Sequence, residues 1–164
     1  MNHEAERYER FFLIVSGVFL VGFLVVLAYT SIHMRVMLPG RVGTIEAKPG
    51  ESLAAAVFRT PPFNHLGLTK VGPDEYQAVY FAQAWAFFPR EIDLPVGARV
   101  KFIATSVDIT HGFFIAGTRV NMMLLPGQIS EETYTFHKPG KYLLLCHEYC
   151  GLLHHTMHAW VIVK

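Results

Sequence analysis

The sequence predicts a mainly β domain, a small sandwich or Greek-key barrel, carried on one N-terminal transmembrane helix. Three observations predict it: an uncharged apolar run near the start, a series of short β-branched and aromatic segments split by Pro and Gly, and a modest length. At 164 residues the chain can bury one real core but not two large ones. Hydrophobic residues make up 52% and charged residues 16%, an apolar shift that places part of the chain in lipid. The formal net charge of +1 gives no strong field, so no nucleic acid is expected as partner.

Residues 11–32 contain no Asp, Glu, Lys, Arg or His. As a helix rising about 1.5 Å per residue this run reaches roughly 33 Å, enough to cross a hydrocarbon core of about 30 Å. A cleaved secretory signal would need a basic leader and a shorter apolar stretch. Here Glu4, Glu6 and Glu9 stand beside Arg7 and Arg10. A lipoprotein anchor would need a cysteine just after the run, and both cysteines lie near the other end. The run is therefore read as a permanent anchor, residues 1–35, in contact with membrane lipid. Arg7 and Arg10 on one side face Arg35, Arg41 and Lys48 on the other, so charge alone does not orient it.

Residues 36–75 are dense in Pro and Gly, which argues for a connector without long regular elements. One short helical turn is expected at 51–58, with Ser52 as its cap. From residue 76 to 164 the periodicity shifts towards two. Segments 76–87, 99–105, 121–125, 132–136, 142–146 and 159–163 read as strands, with turns at Pro95 and Gly97, Pro126 and Gly127, and Pro139 and Gly140. Short strands at this spacing imply a small antiparallel sandwich or Greek-key barrel.

Residues 146–157 read Cys-His-Glu-Tyr-Cys-Gly-Leu-Leu-His-His-Thr-Met. Cys146, Cys150, His154 and Met157 offer thiolate, imidazole and thioether donors from one loop, a soft set that suits copper, with Met as a weak tuning ligand. His111, beside Gly112 and after a predicted strand, is the candidate for a further imidazole. Two plainer readings stay open on spacing alone. The cysteines could form a disulfide, or two Cys and two His could hold a structural zinc, which has no use for Met157. His65, His137, His147, His155 and His158 are read as ordinary surface, and Trp85, Phe87 and Phe88 as core aromatics.

The stretch from about residue 76 to 164 resembles the cupredoxin domain of cytochrome oxidase subunit II. That family's pattern is Cys, any residue, Glu or Gln, any residue, Cys, three residues, His, two residues, Met. It is met at Cys146, Glu148, Cys150, His154 and Met157. An Asp three residues before the first ligand His is matched by Asp108 and His111, followed by the turn at Pro126 and Gly127. The resemblance implies a dinuclear copper centre of the CuA type: both thiolates bridge two coppers, His111 and Met157 complete one, and His154 with the Glu148 carbonyl completes the other. It also implies electrons arriving from a soluble c-type cytochrome and leaving to haem in a catalytic subunit I, where oxygen is reduced. The copper domain would face the periplasm or its equivalent, on a single-pass protein of the cell membrane.

One helix and a short chain resemble the smaller B-type branch of the family, whereas Glu148 in place of Gln resembles the larger mitochondrial-like branch. The family often carries an aromatic where electrons arrive, a role Trp85 or Phe88 would take. Nitrous-oxide reductase uses the same copper loop on a propeller domain too large for this chain. Quinol oxidase subunits share the fold without the ligands. A membrane-anchored copper-delivery or structural zinc protein is the alternative from another class.

Overall fold

The computed structural model describes residues 3–33 and 40–164. The expected boundary between anchor and connector at residues 35–36, with Arg35, lies outside them. The chain divides into two units. The first holds one helix, α1 (His3–His33), 31 residues long with no buried side chain. At about 1.5 Å per residue it extends roughly 46 Å, long and apolar enough to cross a membrane.

The second unit is a β sandwich. Its elements are β1 (Gly40–Thr44), α2 (Leu53–Arg59), β2 (Gly67–Lys70), β3 (Glu75–Gln83), β4 (Ala86–Phe88), β5 (Glu91–Leu94), β6 (Arg99–Ser106), β7 (His111–Ile115), β8 (Asn121–Leu124), β9 (Gln128–Thr135), β10 (Gly140–Leu145) and β11 (His158–Val163). One sheet runs β1-β9-β6-β3-β2, with β4 folded back on β3, and the other β5-β11-β10-β7-β8. Not every pairing is antiparallel as the turn spacing implied. β3 lies parallel to β6, and β5 parallel to β11, because the chain crosses between sheets before returning beside an earlier strand.

The core lies between the sheets. Tyr80, Phe102 and Phe113 meet there, with Tyr80 edge-on to Phe113 at 5.2 Å between centroids. Full burial of a phenylalanine such as Phe102 or Phe113 contributes about 1.5–3 kcal/mol. The first sheet is covered on its other face too. Ala56 and Val57 of α2 pack with Phe63, Val79, Phe81 and Ile103. That explains why residues 78–82 read as an unbroken apolar run instead of alternating: β3 is buried on both sides.

The segment read as a connector, 36–75, is where the structure departs most from the sequence reading. Its described part carries β1, paired with β9, then α2, then β2, paired with β3. Its glycines and prolines separate short elements of the domain. α2 begins as expected, with Ser52 Oγ accepting from the Ala55 N–H at 3.2 Å. The predicted strand 76–87 is broken by a turn into β3 and β4. β5 and β7 were not anticipated, and His111 opens β7.

Candidate metal centre

The loop 146–157 joins β10 to β11, and its ends are tied by Cys146 N–H donating to the Met157 carbonyl at 3.2 Å. A tight turn at His154–Thr156 lets the Met157 N–H reach the His154 carbonyl at 3.1 Å. β7 pairs with β10 so that Phe114 faces Leu145, which sets His111 beside the start of the loop.

His111, Cys146 and Cys150 offer three donor atoms lying within 4.8 Å of one another, all on buried residues. The two sulfurs stand 3.7 Å apart, far beyond the roughly 2.05 Å of a disulfide, and both cysteines are free. Around Cys146 Sγ lie His111 Nδ1 at 4.0 Å and the Glu148 carbonyl at 3.2 Å. Around Cys150 Sγ lie His154 Nδ1 at 3.5 Å and Met157 Sδ at 3.8 Å. Each sulfur has its own imidazole and its own third donor. Thiolate, imidazole and thioether converging in a buried pocket fit copper, and Met157 has no place in a tetrahedral zinc site.

The electrostatics favour one easily ionised thiol. Burial opposes ionisation of Cys146, but the contacts with His111, the Gly112 N–H and the Cys150 thiol outweigh it and hold Cys146 down at about 7. Burial, together with the neighbouring Cys146 sulfur, pushes Cys150 up to about 12. Metal ligation requires thiolates, so filling the site must release the proton that Cys150 keeps. Burial alone would lower His111, yet its contacts with Cys146 and Asp108 raise it above the ordinary value.

Asp108 fixes that ring. Its Oδ1 lies 2.9 Å from His111 Nε2, and since a carboxylate only accepts, Nε2 carries the proton and Nδ1 is left free to face the sulfurs. Asp108 is itself held by the Ala84 N–H at 2.7 Å and the Ile109 N–H at 2.6 Å. Burial pulls its pKa up, but these donors and His111 bring it below the usual carboxylate range.

All six residues singled out from the sequence, His111, Cys146, Glu148, Cys150, His154 and Met157, therefore meet here, Glu148 through its backbone. Of the aromatics read as core, Phe87 is fully buried, Phe88 is half-buried, and Trp85 is half-buried with its indole N–H donating to the Cys150 carbonyl at 2.8 Å. That contact spans 65 positions and has no local signature. Gly112 was read only as the neighbour of His111. A Cβ there would stand 2.2 Å from His147 Nδ1 and 2.8 Å from the Glu148 N, so only glycine lets the loop close over β7. A glycine directly after a candidate ligand was the available signal.

Two packed sheets with a soft donor loop between the last strands define a membrane-anchored cupredoxin-type domain built for a copper site. Comparison with known proteins makes the assignment narrower. Residues 88–164 match the family model for the periplasmic domain of cytochrome c oxidase subunit II. The chain is 34% identical to cytochrome c oxidase subunit 2 of Thermus thermophilus, over 99% of this chain and 98% of that one. A chain in a cryo-EM structure of a heme-copper terminal oxidase dimer superposes with a TM-score of 0.75 at 30% identity, covering 95% of this chain and 99% of that one. Nitrous-oxide reductase of Cupriavidus necator is 36% identical over 51% of this chain but only 14% of its own length. The chain belongs to the cytochrome c oxidase subunit II family, whose members are the electron-receiving subunits of terminal oxidases.

Proposed function

We propose that this domain receives electrons at two coppers held by Cys146, Cys150, His111, His154, Met157 and the Glu148 carbonyl, and passes them to haem in a catalytic subunit. The carrying observation is the doubled donor set: two unbonded sulfurs 3.7 Å apart, each with a separate imidazole and a separate third donor. One metal does not need that many. Held by these residues, two coppers would supply one-electron uptake and release.

The chain's own residues keep the cost of that change low. Strands β7, β10 and β11 carry the donors on a rigid sheet, and Asp108 holds the His111 ring. Buried Cys146, Cys150 and Met157 exclude water from the sulfurs. α1 would hold the domain to the lipid, with the copper domain on the periplasmic or equivalent side, where a soluble c-type cytochrome acts as donor. Support for this side comes from the matched periplasmic-domain family and from the full-length similarity to the Thermus subunit.

The test is metal analysis with electron paramagnetic resonance on the purified full chain. Two coppers sharing one unpaired electron are expected. A single localised copper, or zinc alone, rejects the proposal.

A further inference from the structure

The turn between β3 and β4, residues 83–86, reaches both halves of the donor set from outside. Its Ala84 N–H holds Oδ2 of Asp108 at 2.7 Å, and Asp108 holds His111. Its Trp85 indole N–H holds the carbonyl of Cys150 at 2.8 Å. The turn thus adds a tie from a different strand pair to the β7–β10 pairing that already sets His111 beside the cysteine loop.

A second feature of the chain is shaped to the indole. Gly151, directly after Cys150, sits at φ +108°, and a Cβ there would stand 3.1 Å from Trp85 Nε1 and 3.4 Å from Cζ2. A side chain at 151 would be strained by the backbone and would press on the ring. The loop thus turns away at the position where the indole needs room, and its Cys150 carbonyl is left pointing at the one N–H that Trp85 has.

From these contacts we infer that Trp85 is a positioning residue of the metal centre, holding the Cys150 end of the loop through its indole N–H while the same turn steadies His111 through Asp108. Trp85 reaches the site through the Cys150 backbone. Its consequence for the metal rests on the copper reading above; its consequence for the loop does not.

The experiment uses the full-length protein in detergent. Trp85 is replaced by Phe and, separately, by a benzothienyl-alanine that keeps the size of the indole and lacks its N–H. Hydrogen exchange is followed in the metal-free protein, and the paramagnetic resonance spectrum and copper count in the loaded one. Loss of one net hydrogen bond should speed exchange across residues 146–157 by roughly fivefold, while β6 keeps its native rates. The copper count should hold and the hyperfine pattern should change. Native loop exchange in the isostere would overturn the inference, as would equal acceleration in β6, which marks general destabilisation. Faster loop exchange with an unaltered spectrum would remove Trp85 from any role at the metal. A native protein that holds no copper would reject the copper reading, and the loop exchange would still decide the positioning.

Discussion

His111 Nε2 lies 2.9 Å from Asp108 Oδ1, which leaves Nδ1 of the same ring turned toward Cys146 Sγ at 4.0 Å. The carboxylate orients the ring, and its proton is parked on the nitrogen that faces away from the sulfurs. Removing the carboxylate charge should cost roughly 10- to 100-fold in copper affinity, as loss of a hydrogen-bonded partner behind a ligating imidazole does. Competition of Asp108→Asn against a copper chelator measures this. Unchanged affinity would mean that β7 alone holds the ring.

The sulfurs and the thioether should separate by role. On the proposed reading both thiolates are shared by the two coppers, so Cys146→Ser or Cys150→Ser should abolish the two-copper spectrum. Met157 lies 3.8 Å from a single sulfur, and a weak axial donor mainly tunes potential. Met157→Leu should keep both coppers and shift the midpoint in voltammetry. If Met157→Leu lost copper as fully as Cys150→Ser, this division of roles would be wrong.

Glu51 links the start of α2 to its end. The Arg59 guanidinium, 2.9 Å away at Nε and 2.8 Å at one terminal nitrogen, and the Lys48 N–H at 2.9 Å hold its carboxyl near 2, against an ordinary 4.5. The folded value is the lower one, so the contribution to stability is complete above about 4.5 and is lost as pH falls toward 2. Glu51→Gln should melt below the native protein at pH 6, and the gap should narrow below about pH 4.5 and close only as pH falls through about 2. A gap independent of pH would show that packing, not charge, joins these residues.

Tyr80 carries a different expectation. Its ring is fully buried against Phe102 and Phe113, and its hydroxyl has no partner among the described residues. Burial pushes its pKa far up, so it stays neutral at any ordinary pH. An unsatisfied buried hydroxyl costs about 1–3 kcal/mol, so Tyr80→Phe should raise stability by about 1 kcal/mol in denaturant unfolding. A loss of stability would reveal a bridging water.

Four side chains of the donor set were legible in the sequence because they fall within residues 146–157, and the fifth, His111, was supported by the family resemblance, which places an Asp three residues before it. Local chemistry that depends on spacing survives without coordinates. What was hidden depends on distant pairing. β1 looked like connector because its partner β9 lies some ninety residues away, and short Gly-rich strands show no period of their own. α2 looked idle because nothing in residues 51–58 tells that Ala56 and Val57 cover Phe81 and Ile103. Trp85 read as a core aromatic or an aromatic where electrons arrive, and its contact with the Cys150 carbonyl was hidden because it is made across 65 positions.

The surface around the copper loop decides how a donor would dock. Charges after His33 are nearly balanced, so a strongly acidic face is not expected. Leu152, Leu153, Phe87 and Phe88 are the large apolar residues in and near the loop that could meet a partner. Phe87 is fully buried and drops out, while Leu152 is 82% exposed, Tyr149 80% and Leu153 47%. These three side chains belong to the ligand loop itself, so a partner seated on them would come close to the metal. Steered pairs lose roughly tenfold or more in rate with added salt; electron transfer from a soluble c-type cytochrome should here change by less than about threefold across the same series. Leu152→Glu should instead slow the second-order step about tenfold, the loss of roughly 1.4 kcal/mol of apolar contact. Stopped-flow reduction of the native and Leu152→Glu proteins over a salt series reads both. A steep salt dependence with no effect of Leu152→Glu would place docking on a charged patch away from the loop.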